Sequence, residues 1–288
     1  MTAPTQHRKP QLEPFVPYLT DFALRDQRET MERPFFSLSK KKRLKPIDYT
    51  SPDGSIWVKV EGHQSYGMAT IWDADILMWA AAVLTKMKER EVRPLPRTLR
   101  FHPYALLKAI RRDVGGRQYK LLRESLDRLQ TTTIQTNIRA QAQKRTARFS
   151  WLDRWSEDID ETTGETKGMS FTLSDWVYQG ITTQGHILAV HPDYFLLKGG
   201  LERCLYRLAR KHAGKQSQGW KCSLPKLYEK TGSECSLRRF KFEINKILAS
   251  DSLPEYRLSW DKDKQKGGEI LCVNYRTKTR PLSWCGSN

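Results

Sequence analysis

Residues Ser223 to Ala249 read SLPKLYEKTGSECSLRRFKFEINKILA. Two helices joined by a tight turn fit this stretch. In the second, Leu237, Phe240, Ile244, Ile247 and Leu248 recur at helical spacing and gather on one side of a 3.6-residue wheel. Arg238, Phe242, Asn245 and Lys246 fall on the opposite side, with Arg239 and Lys241 at its flanks. Ser236 precedes the run, where a side-chain oxygen caps the first free N–H groups. Thr231-Gly232 closes the first helix, because glycine takes the left-handed conformation that ends one. One face for a core and one for a DNA groove is the layout of a helix–turn–helix. A surface helix with solvated charges shares the pattern, so the motif alone leaves both readings open.

Downstream, EYRLSW and EILCVNYR read as two strands. They are joined by DKDKQKGG, whose Lys262, Lys264 and Lys266 suit a wing that touches DNA. Upstream, GLERCLYRLARKHAG (200–214) is a helix with Leu201, Leu205 and Leu208 on one face.

The same order of elements precedes it. Thr70–Arg90 is helical, with Asp73 and Asp75 at the N-terminal turn and Lys86, Lys88 and Arg90 at the C-terminal end, as the helix dipole favours. Arg97–Phe101 is a short strand, Pro103 opens a second helix, and Gly115-Gly116 breaks it. Arg117–Gln130 is a third helix with Leu121, Leu122, Leu126 and Leu129 inward. TTTIQTNIR, RTARFSWLDRW and MSFTLS read as strands, with the polar ETTGETKG (161–168) as a hairpin tip. IWVKV (56–60) alternates like a strand, and ITTQGHILAVHPDYFLLKGG (181–200) is the junction.

The fold expected is therefore α+β, with two tandem winged-helix domains at residues 61–190 and 191–276. A flexible N-terminal arm (1–60) precedes them and a tail (277–288) follows. The arm holds seven of the 14 prolines. Its basic run Ser39–Pro46 reads as a solvated tract, a phosphate-touching arm or a nuclear signal. The two third helices differ. Around Arg117, the outward Lys120, Arg123, Glu124 and Asp127 are mixed in sign. That suits a weaker DNA contact, or a protein contact such as a dimer surface. The outward side of Leu237–Ala249 is cationic except for Glu243.

Composition points the same way. The 288 residues carry 50 Lys+Arg against 32 Asp+Glu, a net charge of +18, which favours a polyanionic partner. Residues 201–288 hold 19 basic and nine acidic side chains, the densest excess. The five cysteines lack C-x-x-C spacing and read as reduced thiols of a cytosolic protein. The first residues lack the apolar core of a secretory signal. The longest apolar stretch, Ile76–Leu84, is far short of the roughly 20 residues a membrane span needs. A soluble cytoplasmic chain with no membrane contact is expected.

Catalytic signatures are missing. Gly214-Lys215 is followed by Gln216, so no phosphate-binding G-x-x-x-x-G-K-[ST] loop exists there. No His-hydrophobe-His metal pair stands near a tyrosine. WSEDIDE (155–161) packs Glu157, Asp158, Asp160 and Glu161 together as a Mg²⁺ candidate, with solvated loop carboxylates the plainer reading. No catalytic residue, metal or cofactor is expected, and the chain is read as a binder rather than an enzyme.

YRLARKHAG (206–214), with the helix–turn–helix and the Lys-rich hairpin after it, resembles the replication initiator protein A family of bacterial plasmids. GMATIWDADILMWAA (67–81) and GGRQYKLLRESLDRLQTTTIQTNI (115–138) resemble it too, so the likeness spans roughly residues 30 to 276. The resemblance implies two winged-helix domains that bind repeated double-stranded sites (iterons) at a plasmid origin. It also implies origin opening, recruitment of host replication proteins (initiator and helicase), and autoregulation through homodimers. Leu237–Ala249 would be the major-groove helix. Arg238, Arg239, Phe242, Asn245 and Lys246 would then meet bases or phosphates. Arg238 fits guanine, Asn245 fits adenine, and Phe242 fits a thymine methyl or packs on the wing. A winged-helix transcriptional repressor without a replication role would share every one of these features.

Overall fold

The computed structural model describes residues 23–139, 146–183, 185–262 and 268–276. Its organisation begins with one long apolar helix, α2 (Ala74–Glu89). Its first eleven residues are all buried, as ADILMWAAAVL would require. A strand, β4 (Thr98–Phe101), and two helices, α3 (Pro103–Ala109) and α4 (Gly116–Thr131), follow. The hairpin β7 (Leu152–Ile159) and β8 (Thr166–Leu173) completes this first unit. Its three-stranded sheet has the order β4-β8-β7.

The second unit repeats that plan. Helix α6 (Gly200–His212) is followed by strand β10 (Trp220–Ser223). Helices α7 (Leu224–Thr231) and α8 (Leu237–Ser250) come next. The hairpin β11 (Tyr256–Lys262) and β12 (Glu269–Tyr275) closes it, again with the last strand in the middle, β10-β12-β11. Mixed α/β architecture is thus built from one element order used twice.

Two features depart from the expected layout. The ribbon after α4 does not join the sheet of its own unit. Strand β5 (Thr133–Thr136) pairs with β3 (Trp57–Glu61), and β6 (Ala147–Phe149) pairs with β5. With β2 (Ile47–Thr50) they form a separate four-stranded sheet, β2-β3-β5-β6. The second departure is the N-terminal segment, expected as a loose arm. From residue 24 onward it is part of the fold. β1 (Arg25–Gln27) pairs antiparallel with β9 (Ile187–Ala189), and α1 (Arg28–Glu32) lies on α6. Leu24, Met31, Phe35 and Phe36 are buried. Apolar side chains between the prolines drive this, since burying one is worth about 1.5–3 kcal/mol. Residues 1–22 and the tail 277–288 lie outside the described residues.

Helix α5 (Asp175–Thr182) and a single 3₁₀ turn at Pro192–Leu196 fill the junction. A continuous core runs through both units. At one end Phe36 stacks on Trp151 at 4.6 Å, and Phe149 stacks on Trp176 at 4.5 Å. At the other, Tyr194, Tyr206 and Tyr256 meet edge to face or tilted, within 5.3–5.8 Å. The tryptophans Trp79, Trp151 and Trp176 therefore serve packing. Among the described residues no helix is long and apolar enough to cross a membrane. Burial pushes the Cys204 thiol up to about 12 and Cys222 to about 11, which keeps both unreactive.

Candidate nucleic-acid interface

Helix α8 is held from one side. Phe240, Ile244 and Ile247 are buried, and the Phe240 ring meets Tyr228 of α7 edge to face at 5.2 Å. Leu237, expected on the same face, is 41 % exposed. The Ser236 hydroxyl caps the helix by accepting from the Arg239 amide at 3.3 Å. The turn is set by Gly232, whose φ of +59° lies in the left-handed region. A Cβ there would also come within 2.6 Å of Pro34 Cβ, so glycine is needed for space as well. Tyr228 closes the turn by donating to the Cys235 carbonyl at 2.7 Å.

The other side of α8 has no buried side chain. Phe242 is 49 % exposed and carries two cations over its ring, Arg239 at 5.0 Å and Lys246 at 4.6 Å. It is not packed into the hairpin. Arg239 pairs with Glu243, Lys246 lies 3.7 Å from Glu243, and Lys241 pairs with Glu269 of β12 at 2.6 Å. Arg238 has no partner among the described residues. Exposed pairs of this kind are worth only about 0–1 kcal/mol. A phosphate can displace the carboxylates at little cost. Asn245 is less free than its sequence position suggested. Its Oδ1 accepts from the Trp260 indole N–H at 2.7 Å. Reading adenine with both amide atoms would require that bond to open.

Strands β11 and β12 run in register from Tyr256 opposite Tyr275 to Lys262 opposite Glu269. Lys262 is exposed at the end of β11. Lys264 and Lys266, expected at the tip, lie outside the described residues.

The family model of replication initiator protein A matches residues 25–258. The chain belongs to the replication initiator protein A family. A relative from Wigglesworthia glossinidia brevipalpis, named "Putative replication protein", is 30% identical over 243 residues, 83% of this chain and 86% of that protein. Among solved structures, that of domains 2 and 3 of RctB superposes with a TM-score of 0.60 at 14% identity, covering 84% of this chain and 95% of that one. That likeness concerns the mixed α/β fold alone.

Within this initiator the first unit presents a different surface. Arg117 and Lys120 are exposed on α4. Arg123, expected beside them, is committed elsewhere. Its guanidinium holds Glu157 of β7 through two hydrogen bonds of 2.7 and 2.6 Å, and that contact holds the Glu157 carboxyl below its ordinary range. Leu121, expected inward, is 38% exposed.

The acidic run is likewise engaged. Asp158 accepts from Arg100 at 2.8 Å. Asp160 is held down to about 2 by Lys167 and by the Thr163 and Thr162 amides. Sequence reading missed the buried ion pairs behind the interface. Arg203 of α6 meets both oxygens of Asp75 at 2.8 and 3.0 Å, and Arg207 meets Asp26 at 2.6 Å. Two arginines at i and i+4 on an amphipathic helix were the signal, but their partners are far away in sequence.

Proposed function

We propose that both units are winged helices, at residues 61–190 and 191–276, and that the second reads repeated double-stranded sites at a replication origin. The observation that carries this reading is the unpacked cationic face of α8, with Arg238 unpartnered beside the half-exposed Phe242. The element order and the strand order shared by the two sheets support the winged-helix reading. Family membership supplies the role in replication initiation. In the proposed mechanism Arg238 reads a guanine edge, while Arg239, Lys241, Lys246 and Lys262 meet phosphates and release counterions. The first unit, through Arg117 and Lys120, makes an auxiliary contact or forms a homodimer surface. Origin opening, recruitment of host initiator and helicase, and autoregulation complete the reading. The protein acts in the cytoplasm as a binder, with no chemical step of its own.

The test is binding to the cognate origin fragment and to a scrambled duplex of equal length across a salt series. A preference of about 10³-fold or more at physiological salt is expected. Arg238→Ala should lose about 1–3 kcal/mol at one base position only. Equal loss on both duplexes would end its base-reading role. An origin-dependent plasmid maintenance assay separates initiation from repression, since a pure repressor supports no replication.

A further inference from the structure

The basic run Ser39–Pro46 is not a loose tail. It is clipped to the second unit by Arg43, which is buried. The Arg43 Nη1 donates to the Gly232 carbonyl at 2.7 Å and its Nε to the Lys45 carbonyl at 3.0 Å. Its Nε also lies 3.5 Å from Glu234. On the first unit, the Met68 amide donates to the Arg43 carbonyl at 3.0 Å, and Lys40 lies 5.0 Å over the Trp72 ring. The approach is so close that a Cβ on Gly67 would come within 2.8 Å of Lys42 Cγ. The run is thus a strap fastened to both units.

Around the buried Arg43, its neighbours Lys40, Lys41, Lys42 and Lys45 are all exposed. None of these four has a carboxylate partner among the described residues. On α8, by contrast, Arg238 is unpartnered but Arg239, Lys241 and Lys246 are all close to a carboxylate. The strap is therefore the less neutralised of the two basic surfaces. Its anchor points fix where it stands. Gly232 and Glu234 belong to the turn that leads into α8, and Glu234 is two residues, at most about 7 Å of chain, ahead of Ser236. The N-terminal end of a recognition helix enters the groove, and the phosphates that border the groove lie beside it. A cationic strap at that end meets the backbone, not base edges.

We infer that Lys41, Lys42 and Lys45 form a second phosphate clamp on duplex DNA, positioned by Arg43 at the entrance of α8. This rests on the assignment of α8 to the DNA groove. Contacts of this class are sequence-independent and salt-sensitive. The clamp adds grip and orients the helix without reading bases.

The variant K41A/K42A/K45A tests it. The three side chains are exposed, so the fold is expected to survive, which the thermal melting curve verifies. Affinity for the origin duplex and for the scrambled duplex should fall by the same factor, about tenfold or more at physiological salt. The slope of log Kd against log salt should flatten by about 2–3, since each phosphate contact contributes roughly 0.9. Hydroxyl-radical footprints should lose backbone protection at the flank of each repeat while the centre stays protected. Unchanged affinity and slope on both duplexes would refute the clamp and leave the role of α8 intact. A loss confined to the origin duplex would also refute it, because the strap would then read sequence. If the unsubstituted protein shows no preference for the origin, the α8 reading fails. A flattened slope in the triple variant would still establish the strap as a duplex contact. Absence of any duplex binding would overturn both.

Discussion

Asp75 shows how much one side chain can hold. It is fully buried at the start of α2. Its carboxylate takes Arg203 of the second unit on both oxygens and Arg112 at 3.1 Å. The Arg203 guanidinium is satisfied on its remaining edges by the Leu197 and Phe195 carbonyls at 2.9 and 3.0 Å. Removing one partner of a buried pair leaves the other charge stranded, which costs about 3–5 kcal/mol. Asp75→Ala should therefore lower the unfolding free energy measured in urea by that amount, whereas Arg238→Ala, on the solvent side of α8, should leave it unchanged. An Asp75→Ala loss below about 1 kcal/mol would mean that the two carbonyls suffice for Arg203. Sequence alone gave Asp75 a different part, as a favourable charge in a helix N-terminal turn. Composition could not reveal its partner, because Arg203 stands 128 residues away.

At the scale of elements, α1, α6 and α7 meet around Glu32. Its carboxylate faces Arg33 at 3.2 Å, Lys230 at 3.5 Å, Lys211 at 3.8 Å and His212 at 3.9 Å. Burial opposes ionisation of Glu32, but these cations together win and lower its pKa. His212 stacks on Trp220 of β10 at 4.6 Å, and its Nε2 is buried without a hydrogen-bond partner. Burial first, and Lys230 next, push His212 down to about 4 from an ordinary 6.5. The folded state therefore prefers neutral His212. Between pH 6.5 and 4 the unfolded chain binds the extra proton, so stability from this residue is present above pH 6.5 and is lost as pH falls. Each pH unit costs at most about 1.4 kcal/mol, less for the solvent that reaches the ring. His212→Phe keeps the stacked ring and removes the titration. Its melting temperature should match that of the parent at pH 7.5 and exceed it at pH 5. Parallel curves for the two proteins would exclude His212 as the source.

Elements were legible where their signal is local. Helices α2, α4, α6 and α8 follow from apolar spacing, caps and glycine stops, and the order of elements in each unit follows from theirs. Pairing between distant strands carries no such signal. Strand β1 is three residues long and pairs Arg25 with Ala189, so nothing near it announces a strand. The excursion of β5 into the β2-β3 sheet was hidden for the same reason, since alternation shows a strand but not its neighbour. At the interface, cationic residues of α8 were visible as a stripe. Their carboxylate neighbours Glu243 and Glu269, and the Trp260–Asn245 bond, depend on how α8 meets the hairpin.

The whole molecule joins two similar units through buried charge and a shared N-terminal segment. Asp26 and Thr30, on β1 and α1, hold Arg207 of α6, while Asp75 of α2 holds Arg203 one turn earlier. The strap carrying Arg43 crosses from Met68 to Gly232. Pulling the units apart would expose Arg203 and Arg207 without their acids, together with apolar residues such as Phe35 and Tyr194. Independent unfolding of the second unit would incur that cost of several kcal/mol per stranded ion, a large part of the roughly 5–15 kcal/mol that stabilises a domain. A single cooperative transition follows. Urea unfolding followed by tryptophan fluorescence in the W220F/W260F/W284F variant, whose remaining tryptophans all precede the second unit, should coincide with unfolding followed by a fluorophore on Cys235 beside α8. A fragment starting at Gly199 should be far less stable than the whole chain, because it lacks Asp26, Asp75 and the strap. Two separated transitions, with the fragment melting where the second one does, would mean that each unit folds for itself. The buried arginines would then fix orientation between units without coupling their stability. Under the cooperative outcome, α8 and the strap are held in one fixed relation, and DNA meets a rigid surface with no hinge between its two basic contacts.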